Sequence, residues 1–252
     1  MAMFDHLIFS ARQPDCLLAL LPYNNGCVIN PLRQGFMYPV FNSSENGSWA
    51  QRHGLITPSN IANTESYFAS ADPTKRSHIV TPLDFQNNSS SKTFIVKACC
   101  PRSNAGVLRI NPFFSQGNHS GNAKYFVVQF SLWENTTDTR LRGYISNNEG
   151  IGIGTNAIVD ESVHSNWHVF AMVVEHNQAA NMVYIRLYWN GVQIASRSSA
   201  FFSWNVMLLE PHIPDKVAVR LDTDVKYIAN TKIAWALIFD RALPTEEIQL
   251  FK

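Results

Sequence analysis

From about residue 92 onward, short apolar or alternating runs recur along the chain, cut by turn residues. They are KTFIVKACC (92–100), GVLRINPFF (106–114), KYFVVQFSLW (124–133), RLRGYIS (140–146), WHVFAMVV (167–174), MVYIRLYW (182–189), VQIASRS (192–198), KVAVRL (216–221) and KIAWALIFD (232–240). Branched and aromatic side chains in runs of this length suit a pleated surface covered on one or both faces, so each run is expected to be a strand. Many short strands in succession predict an all-β, antiparallel sandwich.

Turn chemistry adds local detail. Ser-Gly-Asn at 120–122, Asn-Asn-Glu-Gly at 147–150 and Asn190-Gly191 separate neighbouring runs. Asn-Gly supplies the two positive-φ residues of a type I′ turn, which predicts a tight hairpin over 182–198. In it Val183, Ile185, Leu187 and Trp189 share one face, and Tyr184, Arg186 and Tyr188 the other. In the last run both alternating sets are apolar, Ile233, Trp235, Leu237 and Phe239 and then Ala234, Ala236 and Ile238. That strand is expected to be covered on both faces. Asp240-Arg241 ends it. Pro244 then suits a helix start, Thr245 can cap, and Glu246 and Glu247 fall in the first turn, where the helix dipole favours negative charge. Ile248 and Phe251 give this short helix an apolar side to press on the sheet.

Before residue 75 the pattern changes. NSSENGSWAQRHGLITPSNIANTESYFASADPT is polar and loop-like, so residues 1–74 are expected to be a partly irregular N-terminal extension or arm, and 75–252 the folded domain. Pro14 and Pro22 limit any helix over 5–21. At 46% hydrophobic and 15% charged residues, the composition is that of an ordered, turn-rich globular chain. A net charge of +1, with no basic run longer than Lys75-Arg76, argues against a nucleic-acid partner. Near the start, Asp5 and the absence of a basic n-region argue against a secretory signal, and the apolar run Cys16–Leu21 is too short to span a bilayer. No membrane partner is expected. Two of the four cysteines, Cys99 and Cys100, are adjacent and none forms a CxxC pair, so free thiols are expected rather than a disulfide or zinc framework. The six N-x-S/T sequons, at Asn42, Asn46, Asn87, Asn88, Asn118 and Asn135, read as Asn- and Ser-rich loops.

The strand, DRAL, turn, EEI order of residues 232–248 resembles the C-terminus of the laminin-G-like, concanavalin A-like lectin/glucanase jelly rolls. NWHVFAMVVE (166–175) is similar to that family's Trp-His-apolar strand, and VYIRLYWNGVQI (183–194) to its strand, Asn/Asp-Gly turn and strand. TPLDFQNNSSSKTFIVKACC (81–100) is similar to an early segment in which a short apolar stretch precedes a Ser/Thr-Phe-apolar strand. The resemblance covers about 75–252 and implies a concanavalin A-like jelly-roll sandwich with a short C-terminal helix. Asn230-Thr231 stands where family members often have a glycine before the last strand. Where family lectins use calcium, loop acids hold it, and Asp222 and Asp224 are the nearest match for a metal here. Otherwise no cofactor is expected.

Glycoside hydrolases of this fold place two carboxylates on one strand face as Glu-x-Asp-x-Glu or a close variant, and no such spacing occurs. His164 and His168 would share a face and could bind metal if 164–168 were extended, but a loop His and a strand His in ordinary hydrogen bonds is the favoured reading. GIGIG (150–154) has no helix after it and reads as a flexible turn rather than a phosphate loop. GNHSG (117–121) places Ser120 one residue late for a nucleophile elbow. No catalytic residue is expected. Among the aromatics, Trp189 and Trp204 suit a core, while Trp133 at a strand end and Tyr144 in an Arg-rich neighbourhood, with Asn147 beyond it, are the candidate ligand-binding residues.

Lectin-like jelly rolls suit outward display and are found among bacteriophage decoration, head-fibre and tail proteins. The absence of a signal and of catalytic acids, with a long irregular N-terminal region able to grip a partner, points the same way. The expected function is therefore a non-enzymatic virion protein for decoration or attachment, made in the host cytoplasm. It would be partnered by capsid or tail proteins or by itself through the N-terminal region, and would recognise surface glycans. The alternative is a plain carbohydrate-binding module; an enzyme acting on polysaccharide is the third reading.

Overall fold

The computed structural model describes residues 13–20, 28–30, 36–38, 50–53, 67–70, 78–80, 85, 90–102, 109–117, 126–135, 137–146, 152–200, 218–220 and 231–252. In chain order the strands are β1 (Cys16–Leu20), β2 (Val28–Asn30), β3 (Phe36–Tyr38), β4 (Ala50–His53), β5 (Tyr67–Ser70), β6 (His78–Val80), β7 (Lys92–Cys99) and β8 (Arg109–Gly117). They continue as β9 (Phe126–Glu134), β10 (Thr139–Ser146), β11 (Gly152–Val159), β12 (His168–Asn177), β13 (Met182–Trp189), β14 (Val192–Ala200), β15 (Ala218–Arg220) and β16 (Lys232–Phe239). A 3-10 turn, Glu161–His164, precedes β12, and the short helix α1, Thr245–Ile248, ends the chain with a 3-10 turn over Gln249–Phe251.

Two antiparallel sheets pack as a sandwich. The larger has eight strands in the order β14-β13-β12-β7-β16-β5-β4, with β1 also paired to β16; the smaller has six in the order β11-β10-β9-β8-β15-β6. Strands β2 and β3 pair with each other. Strands β1, β4 and β5, all from residues 1–74, thus lie in the larger sheet.

The side-chain period of two explains the core between the sheets. On β10, Thr139, Leu141, Gly143 and Ile145 are buried while Arg140, Arg142 and Tyr144 are half-buried on the outward face. A chain of rings crosses the core: Phe85 to Phe94 (centroids 5.8 Å apart), Phe94 to Phe114 (5.5 Å), Phe114 to Phe130 (6.4 Å), Phe130 to Phe113 (5.4 Å) and Phe113 to Phe170 (5.1 Å, stacked at 20°). Apart from Phe85, which precedes β7, these rings come from β7, β8, β9 and β12, so they join both sheets.

A second core lies on the other face of the larger sheet, where Ile95, Val173, Tyr188, Leu237 and Phe239 meet Leu243, Ile248 and Phe251 of the chain's end. Strand β16 is buried on both faces, as its doubly apolar pattern predicts, but a register irregularity between Ile233 and Trp235 exchanges its first two apolar residues: Ile233 joins Ala236 and Ile238 in the first core, and Ala234 joins Trp235, Leu237 and Phe239 in the second. The DRAL stretch now has a physical reading. Asp240 accepts from Lys92 Nζ at 2.6 Å, and Arg241 grips Glu247 with two bonds of 3.0 and 2.6 Å while also pairing with Asp15. Leu243, 1% exposed, drives the chain back onto the sheet, and its N–H donates to Thr93 Oγ1 at 2.9 Å. One expectation fails: Pro244, not Thr245, is the N-cap residue, and no side chain caps the helix. Thr245 is already helical, and its hydroxyl meets that of Tyr188 at 3.2 Å.

Asn190 and Gly191 have φ of 47° and 77°, so the hairpin of β13 and β14 turns as its sequence predicts. Asn190 also accepts from Val169 N–H at 3.0 Å, which ties the turn to β12. The expected turn at GIGIG is different. Gly152 and Gly154 lie inside β11, in register with Ser146 and Tyr144 of β10, because an edge strand opposite a large outward ring needs residues without a Cβ. The turn signals at 120–122 and 147–150 and the ring of Trp204 fall outside the described residues.

Cys16, Cys99 and Cys100 are free and buried, as expected of thiols packed as small apolar groups. Burial pushes the Cys16 thiol up to about 12 from an ordinary value of 9.0, and raises Cys99 and Cys100 as well. Above pH 9.0 the unfolded chain therefore releases protons that the folded chain keeps, and stability falls as pH rises toward 12. Each such thiol contributes about 1.4 kcal/mol per pH unit within its window. Denaturant midpoints measured from pH 8 to pH 11 are expected to fall less steeply for Cys16→Ala than for the wild type; equal slopes would contradict the burial of this thiol.

Candidate functional site

The outward face of the six-stranded sheet carries the site. On β9, Phe130 and Leu132 point into the core, so Ser131 and Trp133 point outward; on β10, Arg140, Arg142 and Tyr144 do the same. Register places Arg142 opposite Ser131 on one side and Asn156 on the other, Arg140 opposite Trp133, and Tyr144 between Gln129 and Gly154. The indole N–H of Trp133 donates to Ser131 Oγ at 2.9 Å, which fixes the ring's direction along its own strand. The Arg142 guanidinium then sits 4.0 Å from the Trp133 ring centroid and 5.8 Å from that of Tyr144. Trp133 and Tyr144, expected from sequence as ligand-binding residues, thus share one face by strand register, with Arg142, which sequence reasoning did not single out, near both rings. Asn147 lies outside the described residues, as do Asp222 and Asp224.

Tyr144 has a prepared seat. A Cβ on Gly154 would lie 2.7 Å from Tyr144 Cδ2, and one on Gly152 2.6 Å from its Cζ, so the ring lies over β11 in space that only glycine leaves. The carbonyl of Gly154 accepts from Arg197 of β14 at 3.1 Å, which holds β11 to the edge of the larger sheet.

The two arginines of β10 are treated differently. Arg140 donates twice to Asp138 Oδ2, at 2.9 and 2.7 Å, and once to Asn156 Oδ1 at 3.2 Å. Asp138 is in turn bonded by Asn135, and the hydrogen bonds from Arg140 hold its carboxyl below the ordinary range. Arg142 has no carboxylate partner among the described residues; burial pulls its guanidinium below the ordinary arginine value. That group stays charged at neutral pH regardless.

Solved structures of similar shape are receptor-binding domains. The receptor-binding domain of botulinum neurotoxin type G aligns with a TM-score of 0.56 at 11% identity, over 93% of this chain and 50% of that one. The binding domain of botulinum neurotoxin DC in complex with SialylT gives 0.58 at 14%, over 94% and 50%. Botulinum neurotoxin type C, dependent upon two ganglioside molecules to get into cells, gives 0.57 at 11%, over 94% and 50%. The likeness is one of fold. This chain spans about half the length of each of those chains. No protein-family model and no curated protein matches the sequence.

The two histidines near β12 are each held by hydrogen bonds. His164, at the end of its 3-10 turn, bonds the Cys100 carbonyl at 2.8 Å and Thr139 Oγ1 at 2.9 Å; His168, at the start of β12, bonds Asn190 Nδ2 at 2.8 Å and Ser162 Oγ at 3.2 Å. The segment between them is not extended, so the two rings do not converge, and among the described residues no cluster of three metal-binding side chains forms. An open groove of ≈ 600 Å³ lies on the larger sheet's helix-bearing side, between the Glu175–Arg186 pair (2.6 Å) and the ledge Ala242, Leu243 and Pro244. Asn177 and Gln178 also line it.

Proposed function

We propose that this chain is a non-enzymatic glycan-recognition module that binds saccharide on the Trp133–Arg142–Tyr144 platform. The observation that carries the reading is two outward aromatic rings on adjacent strands, each locked by its own device, the Ser131 bond and the glycine seat, with a cation between them. Apolar sugar faces pack on such rings, and a rigid platform loses little entropy on binding. The neighbouring fold in complex with SialylT supports the same class of ligand. Recognition rather than hydrolysis is supported by the pairing of five described carboxylates with cations: Glu134 and Glu161 with Arg102, Asp138 with Arg140, Glu175 with Arg186 and Asp240 with Lys92. In the same reading the sandwich is a laminin-G-like jelly roll displayed on a virion for decoration or attachment. That wider assignment keeps the sequence-level support given above; its own test is immunogold labelling of purified particles, and label on no particle surface would end it.

The binding test is a glycan-array screen followed by chemical-shift mapping of each hit, with and without a calcium chelator. Shifts are expected at the Trp133 indole and around residues 129–133, 140–144 and 154–156, unchanged by chelation. No binding, or shifts confined to the Glu175–Arg186 groove, would overturn the platform; loss on chelation would point to Asp222 and Asp224. A related variant, Gly152→Ala, is expected to push the Tyr144 ring off its seat. Aromatic contacts of this kind contribute about 0.5–1.5 kcal/mol, so affinity should fall roughly threefold to tenfold. Unchanged affinity in a titration would remove Tyr144 from the site.

A further inference from the structure

We infer that the platform selects saccharides bearing an anionic group, a carboxylate or a sulfate, with Arg142 as the residue that reads the charge. The inference rests on the glycan reading above and adds the ligand's chemistry to it.

The argument begins with the contrast on β10. Arg140 and Arg142 stand two apart on the same outward face. Arg140 is neutralised by Asp138 and further held by Asn156. Arg142 faces the uncharged Ser131 and Asn156 across the two neighbouring strands, and no carboxylate among the described residues reaches it. A guanidinium offers five N–H donors in a planar fork. On Arg142 the fork is stacked 4.0 Å from the indole, which engages its flat face and leaves its edge. No hydrogen bond from that edge to a described residue is made, and the side chain is half-buried, so part of it stays within reach of a ligand. The rings hold the side chain in one orientation before any ligand arrives, and they lower the local polarity, which strengthens a charge-assisted bond to an oxyanion. Arg102, Arg140, Arg186 and Arg241 are each paired with a carboxylate, and Arg142, among the described residues, is not. An oriented, unneutralised fork beside two rings fits a ligand with an apolar ring face and an oxyanion a few ångströms away. Acidic saccharides have that form.

The test uses the full chain and three oligosaccharides of equal length: neutral, carboxylate-bearing and sulfated at the same position. Titrations at low and at physiological ionic strength are compared for the wild type, Arg142→Gln and Arg142→Lys, each checked for an unchanged melting profile. The wild type is expected to prefer at least one acidic form by about tenfold, a gap that narrows as salt rises. Arg142→Gln is expected to weaken both classes but the acidic one by about tenfold more, which closes the gap. Arg142→Lys, with charge but no planar fork, should keep part of it. Which acidic form binds distinguishes carboxylate from sulfate as the group read. Equal binding of neutral and acidic forms by the wild type would overturn this inference and leave the glycan reading standing, as would a preference that survives Arg142→Gln. Binding of none of the three would overturn both.

Discussion

Trp133→Ala is expected to weaken glycan binding by roughly tenfold to a hundredfold while the fold stays intact. Covering the indole with an apolar sugar face removes on the order of 100 Å² from water, worth about 2.5 kcal/mol, and Trp133 is the larger of the two platform rings. The substitution has a second effect through Arg142. With no indole 4.0 Å away, the guanidinium loses its wall and regains rotamers that binding must then freeze, at about 0.5–1.5 kcal/mol for a side chain of this kind. Stability should change little, because Trp133 belongs to neither hydrophobic core and Ser131, once freed of the indole, can bond water. Trp133→Phe should recover part of the affinity, having a ring but no N–H for Ser131. Calorimetric titration against the best array hit decides the matter. An alanine variant within about twofold of wild type would mean that the saccharide lies elsewhere on the molecule.

Where the determinants are local, the sequence was a good guide. The hairpin of β13 and β14 follows from Asn190-Gly191, whose residue types suit the positive φ values that the turn requires. The burial of β16 on both faces follows from its two apolar sets, and the C-terminal helix from Ile248 and Phe251. Features that depend on a neighbouring strand were not legible. Gly152 and Gly154 read as a turn because the reason for their lack of side chains, the Tyr144 ring, belongs to β10. The three- and four-residue strands before residue 75 are too short to show a period against a polar background. At the site, Trp133 and Tyr144 could be named as aromatics near charge, and the parity of Arg140, Arg142 and Tyr144 was available to place all three on one face. What parity could not tell is that Asp138 reaches Arg140 and leaves Arg142 alone; that depends on the loop fixed by Asn135, whose side chain accepts from the N–H of Thr137 and of Asp138 at 2.7 and 2.8 Å.

Phe113→Ala is the substitution expected to cost the most stability, and its position also escaped the alternation rule. On a regular strand Phe113 and Phe114 would face opposite sides. Strand β8 instead pairs Pro112 with Ser131 and Phe114 with Phe130, so Phe113 is the extra residue of a bulge, and both rings turn inward at 0% exposure. Phe113 stacks on Phe170 of the facing sheet at 5.1 Å and meets Phe130 edge-on at 5.4 Å, so it is a direct link between the two layers. Emptying such a site costs about 3–5 kcal/mol, a large share of the 5–15 kcal/mol typical of a folded domain. The urea midpoint should drop accordingly with an unchanged m-value, and Phe113→Leu, which keeps most of the volume, should lose far less. A cost below about 1 kcal/mol for the alanine variant would show that the ring is not packed between the sheets. The bulge ends opposite Ser131, the residue that holds the Trp133 indole, so the register that brings two phenylalanines into the core also aims the platform outward. Glycan affinity measured well below the melting range should therefore survive Phe113→Ala to within about twofold, since the lost ring lies on the opposite face of the sheet from the site. A larger loss would mean that the bulge, and the strand it supports, has shifted with the core.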